Sequence, residues 1–253
     1  TASAANATST AAGATTVTEP AQLAVRVWDL PVRVFHWALA GSFAAAYTLS
    51  ESERWRGVHA MFGYTVLGLI AFRLLWGFIG THYARFASFL FTPAAVGRYL
   101  GGLLRGNPQP HLGHNPAGSY VIYAMLLVGA LTGASGYCTL NGIGGDASEE
   151  LHEVLANGWL ALVIVHVCGV VASSVLHREN LVRAMLSGYK RVAAPLVAGV
   201  AGTPARVGVG LAVALAVLGF WTALLLGGGT ATASADPAGA NRAEYGDLDH
   251  DGD

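Results

Sequence analysis

Five apolar runs dominate the chain, at 31–50, 58–80, 118–140, 151–176 and 206–228, with charged or turn-forming residues between them. Each is close to the roughly 20 residues a helix needs to cross the hydrocarbon core of a membrane. Backbone groups in lipid must find their hydrogen bonds within the chain, so runs of this length predict helices. Pro31 suits a first helical turn, while Pro116, Pro204 and the stretch NGIGG punctuate the connections. In the one long connection, 81–117, the segment TPAAVGRYLGGLLRG opens with a Thr-Pro entry and mixes apolar residues with Arg98 and Arg105. That mixture predicts a short helix on the cytoplasmic membrane surface. Gly129 and Gly133, four positions apart in the third run, permit close approach of a neighbouring helix.

Composition turns this pattern into a class. Hydrophobic residues make up 53% and charged residues 11% of the 253 positions, and the mean hydropathy is +0.48, which excludes an ordinary soluble domain. An all-α, multi-pass membrane protein is expected, with four helices in a bundle and a fifth transmembrane helix after it; no nucleic-acid partner is expected. Cys138 and Cys168 lie in apolar segments without a CxxC or CxxCH pattern, so they read as packing residues and not as a disulfide, a zinc site or a covalent haem attachment. Residues 1–24, rich in Ala, Thr and Ser, have neither a basic start nor an apolar centre, so a flexible tail is expected and not a signal peptide. The expected organisation is a tail at 1–24, a bundle at 25–191, a linker and fifth helix at 192–229, and an acidic tail at 230–253.

Charge adds an orientation. With the N-terminus in the cytoplasm, Arg26, Arg33, Arg85, Arg98, Arg105, Arg178, Arg183, Lys190, Arg191 and Arg206 fall on that side, leaving Arg54, Arg56 and Arg242 outside. Glu51, Glu53, Asp146, Glu149, Glu150 and the acidic end of the chain then face outward, a negative surface suited to a positively charged soluble partner.

Histidines inside the runs suggest the chemistry. His152 and His166 are fourteen positions apart. Fourteen residues come within 40° of four full turns, so the two share a face and stand about 21 Å apart along the axis. His36, just after the cytoplasmic start of the first run, lies level with His166, and His59, just after the outer start of the second, lies level with His152. Imidazoles facing each other in twos across a helix bundle suit b-type haem, whose iron takes two axial nitrogens. Zinc wants three or four ligands at one point. Ionisable residues within a membrane are costly and mark function.

The stretches VRVWDLPVRVFHW, GYTVLGLIAFRLLWGFIGTHYARF and GHNPAG, with the His152–His166 spacing, resemble the bacterial cytochrome b561 group. That group includes the b-type cytochrome subunit of membrane-bound nickel-iron hydrogenases and the formate dehydrogenase gamma subunit. The resemblance covers about 25–191 and implies a four-helix bundle in the bacterial inner membrane. It also implies two b haems, His36 with His166 and His59 with His152, which pass electrons between a periplasmic partner and the quinone pool. The partner would be a hydrogenase, another dehydrogenase or a soluble cytochrome c. The resemblance places quinone near the inner haem, where GHNPAG offers His114 and Asn115.

Bis-imidazole ligation leaves no open iron position, so electron transfer without bond chemistry is expected, and no hydrogenase or dehydrogenase catalytic centre is present in the sequence. Arg73, fourteen residues after His59 and on its face, is a candidate to neutralise a haem propionate or line a quinone pocket, with Arg33 and Arg178 as weaker candidates. A haem-free anchor or transporter using its histidines as a proton relay is the reading from a different class, though no inverted repeat supports it. The C-terminal DLDHDGD, with Asp247, Asp249, Asp251 and Gly252, matches the opening of a calcium loop but lacks the closing glutamate, so a disordered acidic tail is the simpler expectation.

Overall fold

The computed structural model describes residues 22–106, 109–193 and 202–227. The tail at 1–21, the segment 228–253 and with it the calcium-like motif lie outside the described residues. Side-chain caps start four of the helices among the described residues. Asp29 Oδ1 accepts from Val32 N at 3.0 Å and Pro31 occupies the first turn, so α1 (Leu30–Leu49) begins there. A short turn leads into α2 (Arg56–Ile79). Thr92 caps α3 (Pro93–Leu104), the helix expected in the long connection, and Asn115 caps α4 (Pro116–Leu140) through Gly118 N at 2.7 Å. The glycine turn at 142–145 leads into α5 (Asp146–Leu176), whose 31 residues exceed a single hydrocarbon crossing. Asn180 caps the short α6 (Leu181–Ser187), which ends at the left-handed Gly188, and α7 (Val207–Leu226) follows.

Among the described residues, four helical stretches are long and apolar enough to cross a membrane: Glu53–Ile79, Pro116–Leu140, Asp146–Leu176 and Val207–Leu226. The first of the five expected crossings, α1, forms a 20-residue helix but is not among them. Its sequence carries Arg33, His36, Ser42, Tyr47 and Thr48. Val154, Val175, Leu215 and Leu226 of α5 and α7 are more than 60% exposed, the outward apolar surface that lipid would cover.

The all-α expectation misses one element. β1 (Gln22–Arg26) pairs antiparallel with β2 (Tyr189–Ala193), from Gln22 opposite Ala193 to Arg26 opposite Tyr189. Each strand is five residues long, too short for a clear alternating pattern, and its partner lies more than 160 positions away in the sequence. The expected boundaries at 24 and 191 fall inside these strands. Gly188 O accepts from both Val27 N and Trp28 N, at 2.9 and 3.1 Å, which ties the end of α6 to the start of α1. The segment before α7 is bound to the same corner through Thr203 N to Arg26 O and Leu30 N to Ala205 O. Gly210 lets α7 approach Leu30 of α1 closely, since an added Cβ would meet Leu30 at 2.6 Å.

Helix α4 packs on α5 and α2, α1 packs on α2 and α7, and α5 meets α1 and α2 chiefly through side chains. The glycine pair works as its spacing predicts. A Cβ at Gly129 would sit 2.6 Å from Trp159 of α5, and one at Gly133 would overlap Leu67 of α2. Cys138 and Cys168 are free thiols, the first half-buried and the second on the exposed side of α5.

Two apolar clusters fill the interior. Phe35, Val66, Leu69, Ile70, Leu126 and Trp159 form the middle one. Val27, Trp28, Val32, Trp76, Ala84 and Ala184 form another around the start of α1. Asp29, 1% exposed, is buried beside the second cluster. Its Oδ2 accepts from Trp76 Nε1 at 3.0 Å and Thr81 Oγ1 at 2.7 Å, which offsets the cost of burying a carboxylate.

Candidate functional site

The chemistry-bearing face of α5 repeats every seven residues: His152, Trp159, His166. Seven residues bring a helix back to within about 20° of the same face. At one level the ring centroids of His166 and His36 of α1 are 6.4 Å apart, and at the other those of His152 and His59 of α2 are 6.1 Å apart. A metal–imidazole nitrogen bond is about 2 Å, so two imidazoles holding one ion from opposite sides stand with centroids about 6 Å apart. Both pairs therefore fit an iron between them. Among the described residues no three His, Cys, Asp or Glu side chains gather as a metal site would require.

Hydrogen bonds fix the proton on one pair. His59 Nδ1 lies 2.8 Å from the Ala46 carbonyl, and His152 Nδ1 lies 2.9 Å from the Thr132 carbonyl and 3.2 Å from Ser135 Oγ. A carbonyl only accepts, so each Nδ1 carries the hydrogen and each Nε2 keeps a lone pair for a metal. Gly136 makes room for the second ring, because a Cβ there would stand 2.8 Å from His152 Cε1. In the other pair His36 Nδ1 is buried without a partner.

Trp159, 3% exposed, occupies the space between the two levels, packed edge-on against Phe43 of α1 at 4.6 Å. Sequence reasoning passed over it because an apolar residue in an apolar helix raises no flag. Its position halfway between the two histidines was the available signal. The carbonyls of Ala46 and Thr132 carry no sequence signal at all.

Arg73 is 3% exposed, and its guanidinium lies over the rings of Phe86 and Phe89 at 4.9 and 5.9 Å. Its Nη1 is buried without a hydrogen-bond partner among the described residues, and a buried cation in that condition suits an anionic group such as a haem propionate. Arg33 is already engaged: Nε donates to the Met185 carbonyl at 3.3 Å and the guanidinium also reaches the Leu186 carbonyl, so it closes the end of α6. Arg178 is exposed just past α5 in a left-handed conformation, φ 51°.

His114 is wedged between Trp28 and Phe89, with centroids at 4.7 and 4.4 Å, and its Nδ1 is sealed off without a partner. Burial, followed by Arg73, Lys190 and His166, pushes its pKa down to about 3. It is thus neutral near pH 7, able to hydrogen-bond but not to carry a proton as an imidazolium. Asn115 spends its Oδ1 on capping α4. Phe89 touches both Arg73 and His114, so these two buried polar groups flank one aromatic ring.

Three similar proteins carry the name "Probable Ni/Fe-hydrogenase B-type cytochrome subunit". That of Azotobacter vinelandii is 26% identical over 221 residues, 67% of this chain and 89% of the relative. That of Rhizobium leguminosarum bv. viciae is 26% identical over 217 residues, 66% and 88% of the two chains. That of Rhodobacter capsulatus is 26% identical over 214 residues, 66% and 81%. No solved structure matches the chain. The profile of prokaryotic cytochrome b561 matches residues 27–188, from just before α1 through α6 and including all four paired histidines, so the chain belongs to the prokaryotic cytochrome b561 family, as a membrane b-type cytochrome of electron transfer.

Proposed function

We propose that the chain binds two b haems stacked across the inner membrane and exchanges electrons between a periplasmic redox partner and the quinone pool. The observation that carries this reading is the two imidazole pairs on one side of α5, with ring centroids 6.4 and 6.1 Å apart. His36 and His166 would hold the haem nearer the cytoplasm, and His59 and His152 the outer one. A haem held by two imidazoles supplies single-electron transfer and offers no open iron position. The chain's own part is to hold ring planes and tautomers through the Ala46 and Thr132 carbonyls, to exclude water with Trp159, and to place the Arg73 charge near the cytoplasmic-side pair.

In this reading α1 crosses with the four more apolar stretches, making five spans, and the arginine asymmetry sets the N-terminus inside and the C-terminus outside. The names of the relatives favour a hydrogenase as partner. Quinone would meet the cytoplasmic end beside His114, taking a hydrogen bond from the neutral ring.

Pyridine haemochrome analysis of the purified protein tests the core of this reading, with about two b haems expected. His36→Ala and His166→Ala should each lose one haem, His59→Ala and His152→Ala the other. Absence of haem from the native protein would end the proposal, and loss of the same haem from all four variants would reduce it to one site. Reporter fusions after residues 20 and 235 check the topology, and both ends on one side would remove a span.

A further inference from the structure

A cleft of about 700 Å³ runs between α2 and α7, on the side of α2 turned away from its histidine. Gly68, in its wall, lies nine residues after His59 and so half a turn around the helix from it. The wall is apolar apart from Tyr64 and Thr65. The Thr65 hydroxyl is fully used: it accepts from Trp221 Nε1 at 2.8 Å and donates to the Met61 carbonyl at 2.8 Å. An occupant therefore meets hydrocarbon along nearly the whole length of the cleft.

Shape narrows the choice. From Gly57 to Phe72, both lining residues, α2 rises about 22 Å, so the mean cross-section is roughly 30 Å². A helix with side chains is about 10–12 Å across and needs more than twice that section. A single hydrocarbon chain fits.

Charge supplies the other end. Arg54 and Arg56 directly precede Gly57 at the mouth, with Trp55 45% exposed between them. Glu53 pairs with Arg56 at 2.6 Å, whereas Arg54 lies over the Trp55 ring at 5.6 Å and has no carboxylate within ion-pair distance among the described residues. These are two of the three arginines that run against the charge asymmetry, the third being Arg242. An interfacial tryptophan flanked by arginines at the end of an apolar cleft suits a lipid phosphate.

We infer that the α2–α7 cleft is a binding site for one phospholipid, with an acyl chain along Gly57, Gly68 and Phe72 and the phosphate at Arg54 and Arg56. The site lies on the face opposite the histidine pairs and does not depend on the number of haems. Native mass spectrometry of the full-length, haem-loaded protein, delipidated and titrated with phosphatidylglycerol, tests it. One tightly held lipid per chain is expected. Gly68→Leu, at a position with no atom within 4 Å, fills the cleft from one wall, and Ala216→Leu fills it from the other. Each should weaken lipid binding at least tenfold, and Arg54→Gln several-fold, with the haem spectrum unchanged. Native binding in both filled variants would overturn the site, as would no retained lipid in the unaltered protein. A co-purifying quinone in the cleft, or a cross-link from it to a helix of another chain, would overturn the phospholipid assignment.

Discussion

Gly136 is the sharpest probe of the His152 ligand. A methyl group there would lie 2.8 Å from Cε1 and 3.1 Å from Nδ1 of the ring, where ordinary contact begins at 3.4 Å, so the imidazole must retreat by some 0.6 Å. Retreat along that line strains the 2.9 Å bond from Nδ1 to the Thr132 carbonyl, which holds the tautomer. Overpacking of this kind costs about 1–3 kcal/mol. Felt entirely at the ligand, that is a loss in haem affinity of about five- to 150-fold. Fold stability is an ambiguous readout, because alanine is favoured over glycine in a helix by about 1 kcal/mol and opposes the clash. Haem content is not ambiguous. Gly136→Ala should therefore lose or weaken the haem of the His59–His152 pair in haemochrome analysis and redox titration, leaving the other unchanged. Gly219→Ala in α7, with open space around it, carries the same helix preference without a clash and should keep both haems. Full native haem content with unaltered potentials in Gly136→Ala would refute the placement of His152 as a ligand.

Trp159→Ala removes a buried ring between the histidine levels and should cost about 3–5 kcal/mol, read by thermal denaturation in detergent; a change below about 1 kcal/mol would show that the two levels pack independently of it. Asp29→Ala leaves Trp76 Nε1 and Thr81 Oγ1 without their acceptor and should cost on the order of 3 kcal/mol, with Asp29→Asn milder because it keeps a carbonyl oxygen. His114 gives a pH signature. Its folded pKa of about 3 lies below the unfolded 6.5, so the unfolded chain binds the proton first. Its contribution is complete above pH 6.5 and falls by about 1.4 kcal/mol per pH unit below that. The stability difference between native protein and His114→Gln should therefore shrink as pH drops from 6.5 towards 4, and a constant difference would mean the ring is solvated.

The paired histidines were legible because a polar side chain in an apolar run stands out and its spacing can be counted. Helix starts were legible for a similar reason: Asp29, Thr92, Asn115 and Asn180 are short polar residues placed just before helical runs, and each caps the backbone as that placement predicts. The β1–β2 ribbon was not, since nothing local links QLAVR to a partner more than 160 positions away. The neutral state of His114 was not legible either. A histidine at a helix boundary can ordinarily exchange protons with water near neutral pH, and it is the Trp28 and Phe89 rings around this one that hold it neutral.

One regularity joins what was read to what was missed. Seven-residue steps run His36–Phe43 on α1, His59–Val66–Arg73 on α2 and His152–Trp159–His166 on α5. With the helices packed as they are, these steps stack into layers: His36 and His166 at one level, His59 and His152 at the other, and Phe43, Val66 and Trp159 between them. A step of fourteen keeps two ligands on one face only if the residue at seven shares that face. The middle residue is therefore bound to fill the gap between the levels, and large apolar side chains keep water out of it. The same rule places Arg73 at the His36–His166 level, and its Nη1 is sealed from solvent with no hydrogen-bond partner among the described residues. The spacing that sets two histidines on one face thus also names the residue between them, which a search for polar exceptions overlooks.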